Sequence, residues 1–332
     1  MQPTKFANNS NIPLSVAAWL AHDDYDYNDD PDVISTTTLI KPIRQTVLSA
    51  RVAQSANQLP VDIISRLKSR MGQSIHAGLE QTWINNPKLE QVLLSLGVSK
   101  RAISAIKINP ENPSEDDINV YLEQRIHRKL GNKTISGKFD MCFDGQLEDN
   151  KTTGVFTYKN DTKSEDYILQ GSIYRWIAPH IITEDTIRII YIFTDWKAGD
   201  VWQQNYPPAP VHAVEYPLMS LAETEKWITN RLKELEKASQ LPETDIKYCT
   251  DEELWRGSDV WKYYKKSQAE QKKSTKNFEN ELEAKKYYAE QGFSGELVKV
   301  PGEVKACLYC AGFELCSQKN HLIAAGDLKV KT

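Results

Sequence analysis

The sequence lacks several features that define common classes of protein. No apolar run approaches the roughly 20 residues of a membrane-spanning helix, and the longest candidate, residues 187–193, has the length of a strand. The first residues do not form the basic and then apolar segment of a secretory signal. Basic residues are not in excess, because 41 Lys and Arg stand against 45 Asp and Glu. We therefore expect a cytoplasmic protein that spans no membrane and binds no partner through bulk positive charge.

Glycine, proline and cysteine are also scarce, with 15, 15 and 5 residues in a chain of 332. This composition excludes a collagenous or low-complexity chain, and the odd number of cysteines argues against a secreted disulfide framework. Hydrophobic residues make up 40% of the chain, which is enough to form a large core. The length allows about two domains or one elaborated domain.

The spacing of apolar residues predicts helices first, then strands with one helix, and then helices again. Strand-like alternation covers about residues 119–160 and a buried strand 187–193. Helical patterns cover 35–54, 61–83, 88–108, 164–178, 221–239 and a Lys-rich stretch over 261–291. This order indicates an α/β fold of the mixed α+β kind around a central sheet.

We divide the chain into four segments on this basis. An acidic N-terminal segment carries six aspartates within residues 23–32, whose spacing matches no calcium-binding loop, so we interpret it as a solvated loop. The segments are 1–34 (irregular and acidic), 35–118 (helical, carrying His76), 119–215 (the core) and 216–332 (helical, with a cysteine cluster).

The most informative segment is a predicted hairpin over residues 135–152. Apolar and polar residues alternate before an Asp-Gly pair at 144–145, which is a strong signal for a two-residue turn. This turn would place Asp140 directly opposite Asp149, with Cβ atoms about 5 Å apart. Lys151 lies two residues beyond Asp149 and therefore on the same face.

This arrangement suits metal-assisted hydrolysis. Two carboxylates that close repel each other unless a cation lies between them, and their oxygen atoms suit Mg²⁺ or Mn²⁺. A lysine beside the metal can orient a water molecule and lower its pKa, as phosphodiester hydrolysis needs. The alternative is a surface hairpin with a cross-strand Lys–Asp pair. Two helical pairs at a spacing of four favour catalysis: His76 with Glu80, and Gln170 with Tyr174.

Four motifs in this order resemble the RecB/Cas4-like branch of the PD-(D/E)XK nucleases. They are GQSIH (72–76), GKFD (137–140), DNKT (149–152) and QGSIY (170–174). The resemblance covers roughly residues 35–180 and the cysteine-rich tail, and it is closest to phage-encoded, exonuclease-like members.

The resemblance implies a restriction-endonuclease-like core, in which a central mixed sheet is flanked by helices. It also implies roles for individual side chains. His76, Asp140 and Asp149 would bind Mg²⁺ or Mn²⁺ together with the backbone carbonyl of Asn150. Lys151 would position the attacking water. Gln170 and Tyr174 would order the site near the DNA strand, and Glu80 would be within reach of a second metal.

Three cysteines near the end form a C-x2-C-x5-C run, namely Cys307, Cys310 and Cys316. In an intracellular chain this run is a strong metal signal, and a fourth thiolate is needed to close the site. We favour Cys249 over Cys142, because Cys142 would put a soft ligand beside Asp140 in a hard-metal site. The resemblance implies a [4Fe-4S] cluster, but in many relatives the first ligand lies upstream of the nuclease motifs. Zn²⁺ therefore remains an alternative.

The Lys-rich stretch over 261–291 interleaves lysines with aromatic residues, which suits contact with a single DNA strand. A solvated helix with inward-facing aromatics is the alternative. Arg175 and Trp176 are further candidates for DNA contact. The candidate DNA-binding lysines are Lys262, Lys265, Lys266, Lys272 and Lys273.

The sequence thus predicts a Mg²⁺- or Mn²⁺-dependent deoxyribonuclease, exonuclease-like on single-stranded DNA or DNA ends. We expect it to act in repair, recombination or replication, with recombination or replication proteins as partners, and to be phage-encoded in a bacterial host. Two alternatives are a non-catalytic DNA-binding recombination subunit and a metal-cluster interaction module.

Overall fold

The computed structural model describes residues 6–22, 30–53 and 60–330. Residues 23–29 of the predicted acidic loop lie outside the described residues, as does the end of the helix predicted up to about residue 54. Every helix in the described ranges is too short or too polar to span a bilayer.

The chain divides into two compact units. The first consists of residues 1–40 and 59–233, and the second consists of residues 41–58 and 234–332. The second unit therefore includes a short segment from the N-terminal part of the chain. The four segments predicted from the sequence follow chain order and stay a prediction.

The first unit contains a seven-stranded mixed sheet and a separate pair of strands, counted within the described residues. In chain order, its strands are β1 (Phe6–Ala7), β2 (Val33–Ser35), β3 (Val61–Asp62), β4 (Ile106–Ile108), β5 (Ile118–Leu130), β6 (Lys133–Phe143), β7 (Gln146–Thr153), β8 (Thr186–Phe193) and β9 (Val211–Pro217). The large sheet has the order β4-β5-β6-β7-β8-β9, and β2 pairs with β6. Within the large sheet, the pairs β4/β5, β7/β8 and β2/β6 are parallel and the others are antiparallel.

The helices precede, connect and follow these strands. In chain order they are α1 (Leu14–Ala21), α2 (Thr36–Ile40), α3 (Ile43–Ala53), α4 (Leu67–Ile84), α5 (Leu89–Ser95), α6 (Lys100–Ala105), α7 (Val155–Lys159), α8 (Ser164–Ile177), α9 (Leu221–Ser239), α10 (Glu281–Glu290) and α11 (Ser317–Ala324). The predicted mixed α/β class, with a central mixed sheet flanked by helices, is confirmed. The helices predicted over 164–178 and 221–239 are also confirmed, as α8 and α9.

The main core of the first unit lies between the sheet and α8. Alternate residues of β8 are buried, and Ile187, Ile189 and Tyr191 pack with Tyr167 and Tyr174 of α8. This packing fixes α8 against the strands that carry the predicted catalytic residues.

The predicted hairpin between β6 and β7 forms, with its Asp-Gly turn in place. Asp144 and Gly145 both have positive φ angles, 50° and 84°, as a type I′ turn requires. Met141 pairs with Glu148, in the predicted register, but the pairing of the two strands ends there. β7 continues to pair with β8 instead, so β6 and β7 diverge at Asp140.

The predicted alternation along β6 is wrong at one point. Phe139, Met141 and Phe143 were expected on one face, but Phe139 packs in the cluster with Tyr174, whereas Met141 and Phe143 pack in a second cluster with Trp83. The change of face therefore occurs at Asp140, opposite an irregularity in the neighbouring strand β5.

Two helices predicted in the N-terminal half are broken into shorter elements. The helix predicted from residue 35 divides into α2 and α3 at Lys41-Pro42, because proline disfavours a helical conformation in the residue before it. The helical region predicted over 88–108 divides into α5, α6 and the short strand β4.

The second unit contains a three-stranded antiparallel sheet of β10 (Val260–Tyr264), β11 (Lys276–Phe278) and β12 (Glu296–Val300). The helix predicted over 261–291 is therefore wrong for residues 261–280, and only α10 is helical. Aromatic residues decide the outcome, because Tyr263 and Phe278 of paired strands pack together against Ala284 of α10.

Candidate active site

The centre of the candidate site is the carboxylate of Asp140, where β6 and β7 diverge. The Nδ1 atom of His76, on α4, lies 3.3 Å from Asp140 Oδ2. The backbone N–H of Asn150 donates a hydrogen bond of 2.9 Å to the same oxygen. The hydrogen bond to Asp140 raises the pKa of His76 against the opposing effect of burial. Burial raises the pKa of Asp140, but His76 and Lys151 more than offset it, so that the pKa of Asp140 is lowered overall.

Asp149 and Lys151 form an ion pair beside this centre. Asp149 is only 3% exposed, and its Oδ2 atom contacts the Lys151 ammonium. Burial raises the pKa of Asp149. Burial alone would lower the pKa of Lys151, but the charges of Asp149 and Asp140 outweigh burial and raise it. Lys151 is therefore a charged ammonium in this arrangement.

Two side chains of α8 hold the lysine from the other side. Lys151 Nζ lies 3.5 Å from Gln170 Oε1, and Gln170 Nε2 donates to the Tyr174 hydroxyl at 3.0 Å. The ammonium also lies 5.3 Å from the centre of the Tyr167 ring. Gly137 leaves room for the Tyr174 ring, because a Cβ atom added to Gly137 would lie 2.8 Å from that ring. The structure thus brings together the residues of all four motifs.

Glu123 on β5 is a member of the site that the sequence analysis missed. Its φ angle is 51°, and the β5/β6 ladder lacks a pair at Glu123 and Asp140 although it continues on both sides. One ligand atom each of His76, Glu123 and Asp140 lies within 4.8 Å of the others. Lys138 Nζ contacts the Glu123 carboxylate at 2.5 Å. Burial raises the pKa of Glu123, and Lys138 opposes this effect.

A signal for Glu123 was present in the sequence. Gly131-Asn132 is also a turn-like pair, and a turn there places Glu123 opposite Asp140 by the register argument that was applied to Asp149. The interruption of the strand at Glu123 had no such signal, because glutamate rarely adopts a positive φ angle.

Several of these groups line a cavity of about 800 Å³ in the first unit, among them His76, Glu123, Asp140 and Lys151. Glu80 also lines the cavity, and its charge contributes to the raised pKa of Glu123; its predicted reach to a second metal stays a prediction. Basic and hydroxyl side chains complete the wall, including Lys68, Arg70, Arg125, Ser35 and Ser136. The cavity therefore places positive and hydrogen-bonding groups around the carboxylates.

Arg175 and Trp176 do not take part in this cavity. Trp176 is buried and donates its Nε1–H to Glu225 at 2.9 Å, so its ring is not available for stacking on a base. Arg175 faces the carbonyl of Thr183 at 3.4 Å. Their prediction as DNA contacts is wrong for Trp176 and is not supported by the position of Arg175.

The structure places Cys249 with the three cysteines of the tail and Cys142 elsewhere. Burial, the charge of Glu253 and the charges of the other three sulfurs raise the pKa of Cys249 to about 12, and burial raises that of Cys307 to about 11. Cys142 lies in the core of the first unit, with its Sγ 3.3 Å from the Ile181 carbonyl oxygen. All five are free thiols.

The candidate DNA-binding lysines lie on a strand and a loop and not on a helix. Lys262 is a half-buried residue of β10, and residues 265–275 connect β10 to β11. The exposed lysines of this connection are Lys265, Lys266, Lys272 and Lys273.

Neither a protein family nor a curated protein matches the chain. Among solved structures, it is similar to SSO0001 at 14% identity, over 62% of this chain and 78% of that chain, with a TM-score of 0.37. It is also similar to a phage related exonuclease from Haemophilus somnus 129PT at 11% identity, over 59% of this chain and 78% of that chain, with a TM-score of 0.32. Because both TM-scores lie below 0.5, these similarities by themselves establish neither fold nor function.

Proposed function

We propose that this chain is a divalent-cation-dependent nuclease that hydrolyses phosphodiester bonds of DNA. The observation that carries the proposal is the surroundings of Asp140. Its carboxylate meets His76 and the Asn150 N–H in the same cavity in which Lys151 is held by Asp149 and Gln170. A surface hairpin with an incidental Lys–Asp pair would need neither the histidine nor the buried network behind the lysine.

The donor set of this site fits Mg²⁺ or Mn²⁺. Carboxylate oxygens of Asp140 and Glu123 lie within 4.8 Å of an imidazole nitrogen, and oxygen-rich sites of this kind suit hard cations. His76, Asp140 and Glu123 would hold the cation, with Asp149 and the Asn150 carbonyl as further candidates. The bound cation would polarise the scissile phosphate and stabilise the charge that develops on it.

The protein's own groups have separate tasks in this proposal. Lys151, fixed between Asp149 and Gln170, would hold the attacking water in place through its ammonium hydrogens. Tyr174 would hold Gln170 in the rotamer that faces Lys151. Basic side chains of the cavity wall such as Arg125 and Lys68 would bind phosphates of the strand.

We further propose that Cys249, Cys307, Cys310 and Cys316 hold a structural metal group. The four thiols share one region of the second unit and influence each other's charge. Four thiolates suit a [4Fe-4S] cluster as well as Zn²⁺.

A cleavage assay tests the nuclease proposal. Linear and circular labelled DNA, single- and double-stranded, would be incubated with Mg²⁺, Mn²⁺ or EDTA. We expect cation-dependent release of nucleotides from linear DNA, with a preference for single strands or ends, and no reaction in EDTA. Asp140→Asn and Lys151→Met should lose cleavage, whereas Lys133→Met, on the same strand as Asp140 but paired with Asp32, should not. Full activity of either site variant would refute the assignment.

A further inference from the structure

Arg44 of α3 is a buried cation in the second unit. It is 2% exposed, although its guanidinium keeps its charge at every physiological pH. Its Nη1 donates to the carbonyls of Glu243 and Ile246 at 3.2 and 2.6 Å, and its Nη2 donates to Ser317 Oγ at 3.2 Å. The Glu243 carboxylate is its ion-pair partner. The remaining donor, Nε, points at Cys316 Sγ from 3.3 Å.

The contact with Cys316 is the unusual one in this set. A neutral thiol is a weak acceptor, whereas a thiolate accepts a charge-assisted hydrogen bond. Glu243 does not depend on Arg44 alone, because its Oε1 atom also accepts from the Ser317 N–H and hydroxyl at 2.8 and 2.9 Å. The hydrogen bond from Arg44 to Cys316 therefore becomes strong only when Cys316 is charged, as it is when it binds a metal.

The same helix makes a second contact with the cysteine run. The α3 helix also packs directly on the turn between Cys310 and Cys316, because a Cβ added to Gly312 would lie 2.7 Å from Leu48 Cβ. The α3 helix thus brings Arg44 to the cysteine run by direct packing, and residues 41–58 belong to the second unit.

A closed four-cysteine site needs such a charge. Four thiolates carry more negative charge than either Zn²⁺ or an iron–sulfur cluster offsets, so the loaded site is an anion in a partly buried place. A buried anion is stable only with a counter-charge and hydrogen bonds to its donor atoms. Groups that donate to the ligand atoms also set metal affinity.

We propose that Arg44 is a positioning residue of the cysteine site, where it orients the Cys316 sulfur and supplies the counter-charge for four metal-bound thiolates. This inference rests on the proposed metal role of the cysteines and not on the proposed nuclease activity. It holds for either metal group, because both leave the thiolate set negative.

The test is a Co²⁺ titration of the full-length chain, reduced and freed of metal under argon. Co²⁺ reports on thiolate ligands through its charge-transfer absorption. We expect Arg44→Gln to weaken Co²⁺ binding about 10- to 100-fold and to shift the thiolate band, because the donor to Cys316 is lost. Arg44→Lys, which keeps the positive charge but lacks the planar set of guanidinium N–H donors, should bind Co²⁺ with intermediate affinity. Arg51→Gln, on the same helix but bound to the Ser239 and Leu241 carbonyls, should match the wild type.

A second variant separates this role from simple loss of folding. Arg44→Gln leaves Glu243 without its ion-pair partner, so Arg44→Gln/Glu243→Gln removes both charges. Circular dichroism of the metal-free proteins should show a folded double variant that still binds Co²⁺ weakly. Wild-type affinity in the double variant, wild-type behaviour of Arg44→Gln, an equal loss in Arg51→Gln, or a wild type that binds no Co²⁺ through thiolates would each overturn the proposal. No cleavage assay enters the test, so it stands apart from the nuclease proposal.

Discussion

At the scale of single residues, the site depends on a carboxylate that is hidden from water. Asp149 is buried, and the Lys151 ammonium is its counter-charge. A buried carboxylate without a partner is strongly destabilising at neutral pH. The pair therefore has two effects. It lowers the energetic cost of burying Asp149, and it holds Lys151 where its ammonium could contact a water molecule beside Asp140.

The pH dependence of stability follows from this pair. Burial holds the pKa of Asp149 above its usual value, so the folded state favours the protonated carboxyl. The free energy of unfolding therefore falls as the pH rises past about 4, the ordinary pKa of an aspartate. Removing the ammonium strengthens this trend. Lys151→Met should be less stable than the wild type by about 3–5 kcal/mol at pH 7, and this difference should shrink towards pH 4.

Urea denaturation at both pH values measures the difference. Lys151→Met/Asp149→Asn, which has neither charge of this pair, is the control, and its difference in stability from the wild type should change little between the two pH values. A deficit of Lys151→Met that is equal at pH 4 and pH 7 would contradict this account.

Glu123 gives a second prediction at this scale. Its carboxylate faces the same space as His76 and Asp140, and Lys138 neutralises it. If it is a cation ligand, Glu123→Gln should weaken Mn²⁺ binding by about 10- to 100-fold or more. Paramagnetic titration of free Mn²⁺ without nucleic acid measures this. Glu148→Gln, whose carboxylate pairs with Arg188, should leave the affinity unchanged.

At the scale of elements, the turn between β6 and β7 determines where the predicted catalytic residues meet. Gly145 has a positive φ angle, and an added Cβ would overlap the Thr183 hydroxyl. Gly131, in the turn before β6, also has a positive φ angle but has open space around its Cβ position. The two glycines thus differ in packing and share the same backbone requirement.

Gly145→Ala should therefore destabilise the protein more than Gly131→Ala. The shared strain costs about 1–3 kcal/mol in either variant, and the overlap with Thr183 adds to it only at Gly145. Denaturant unfolding of both variants measures the difference. Thr183→Ala in the Gly145→Ala background should recover part of the stability, and no recovery would show that the overlap is irrelevant.

The elements also show which features of the fold could be predicted from local sequence. The Asp-Gly turn and the spacing of four on α8 were predictable, because both depend on residues close together in the chain. The interruption of β5 at Glu123 and the strands β10 and β11 were not. The positive φ angle of Glu123 has no local signal in the sequence, and the aromatic residues around Tyr263 prefer a strand only because Phe278 and α10 supply a surface to pack on.

At the scale of the whole molecule, the formal net charge of -4 conceals an uneven distribution. The cavity of the first unit collects carboxylates, including Glu80, Glu123 and Asp140. The connection between β10 and β11, residues 265–275, carries four exposed lysines and a single glutamate, Glu270. A loop of this charge can bind phosphates without making the protein basic as a whole.

Replacing these four lysines tests that role. Each phosphate contact on a single strand contributes about 0.7 to the slope of log affinity against log salt concentration. A variant in which glutamine replaces each of the four lysines, Lys265, Lys266, Lys272 and Lys273, should therefore bind a single-stranded oligonucleotide more weakly. The slope of log affinity against log salt concentration should be shallower by about 3 if all four lysines contact phosphates.

Fluorescence anisotropy in EDTA across a salt series measures the slope without cleavage. A control variant replaces four other exposed lysines, Lys88, Lys100, Lys226 and Lys237, and has the same net charge. Because bulk charge acts equally in both variants, an equal change of slope would assign the effect to net charge and exclude a specific role for the loop. A change confined to the loop variant, with an unaltered cleavage rate at saturating DNA, would mean that the loop contributes to binding and not to the chemical step.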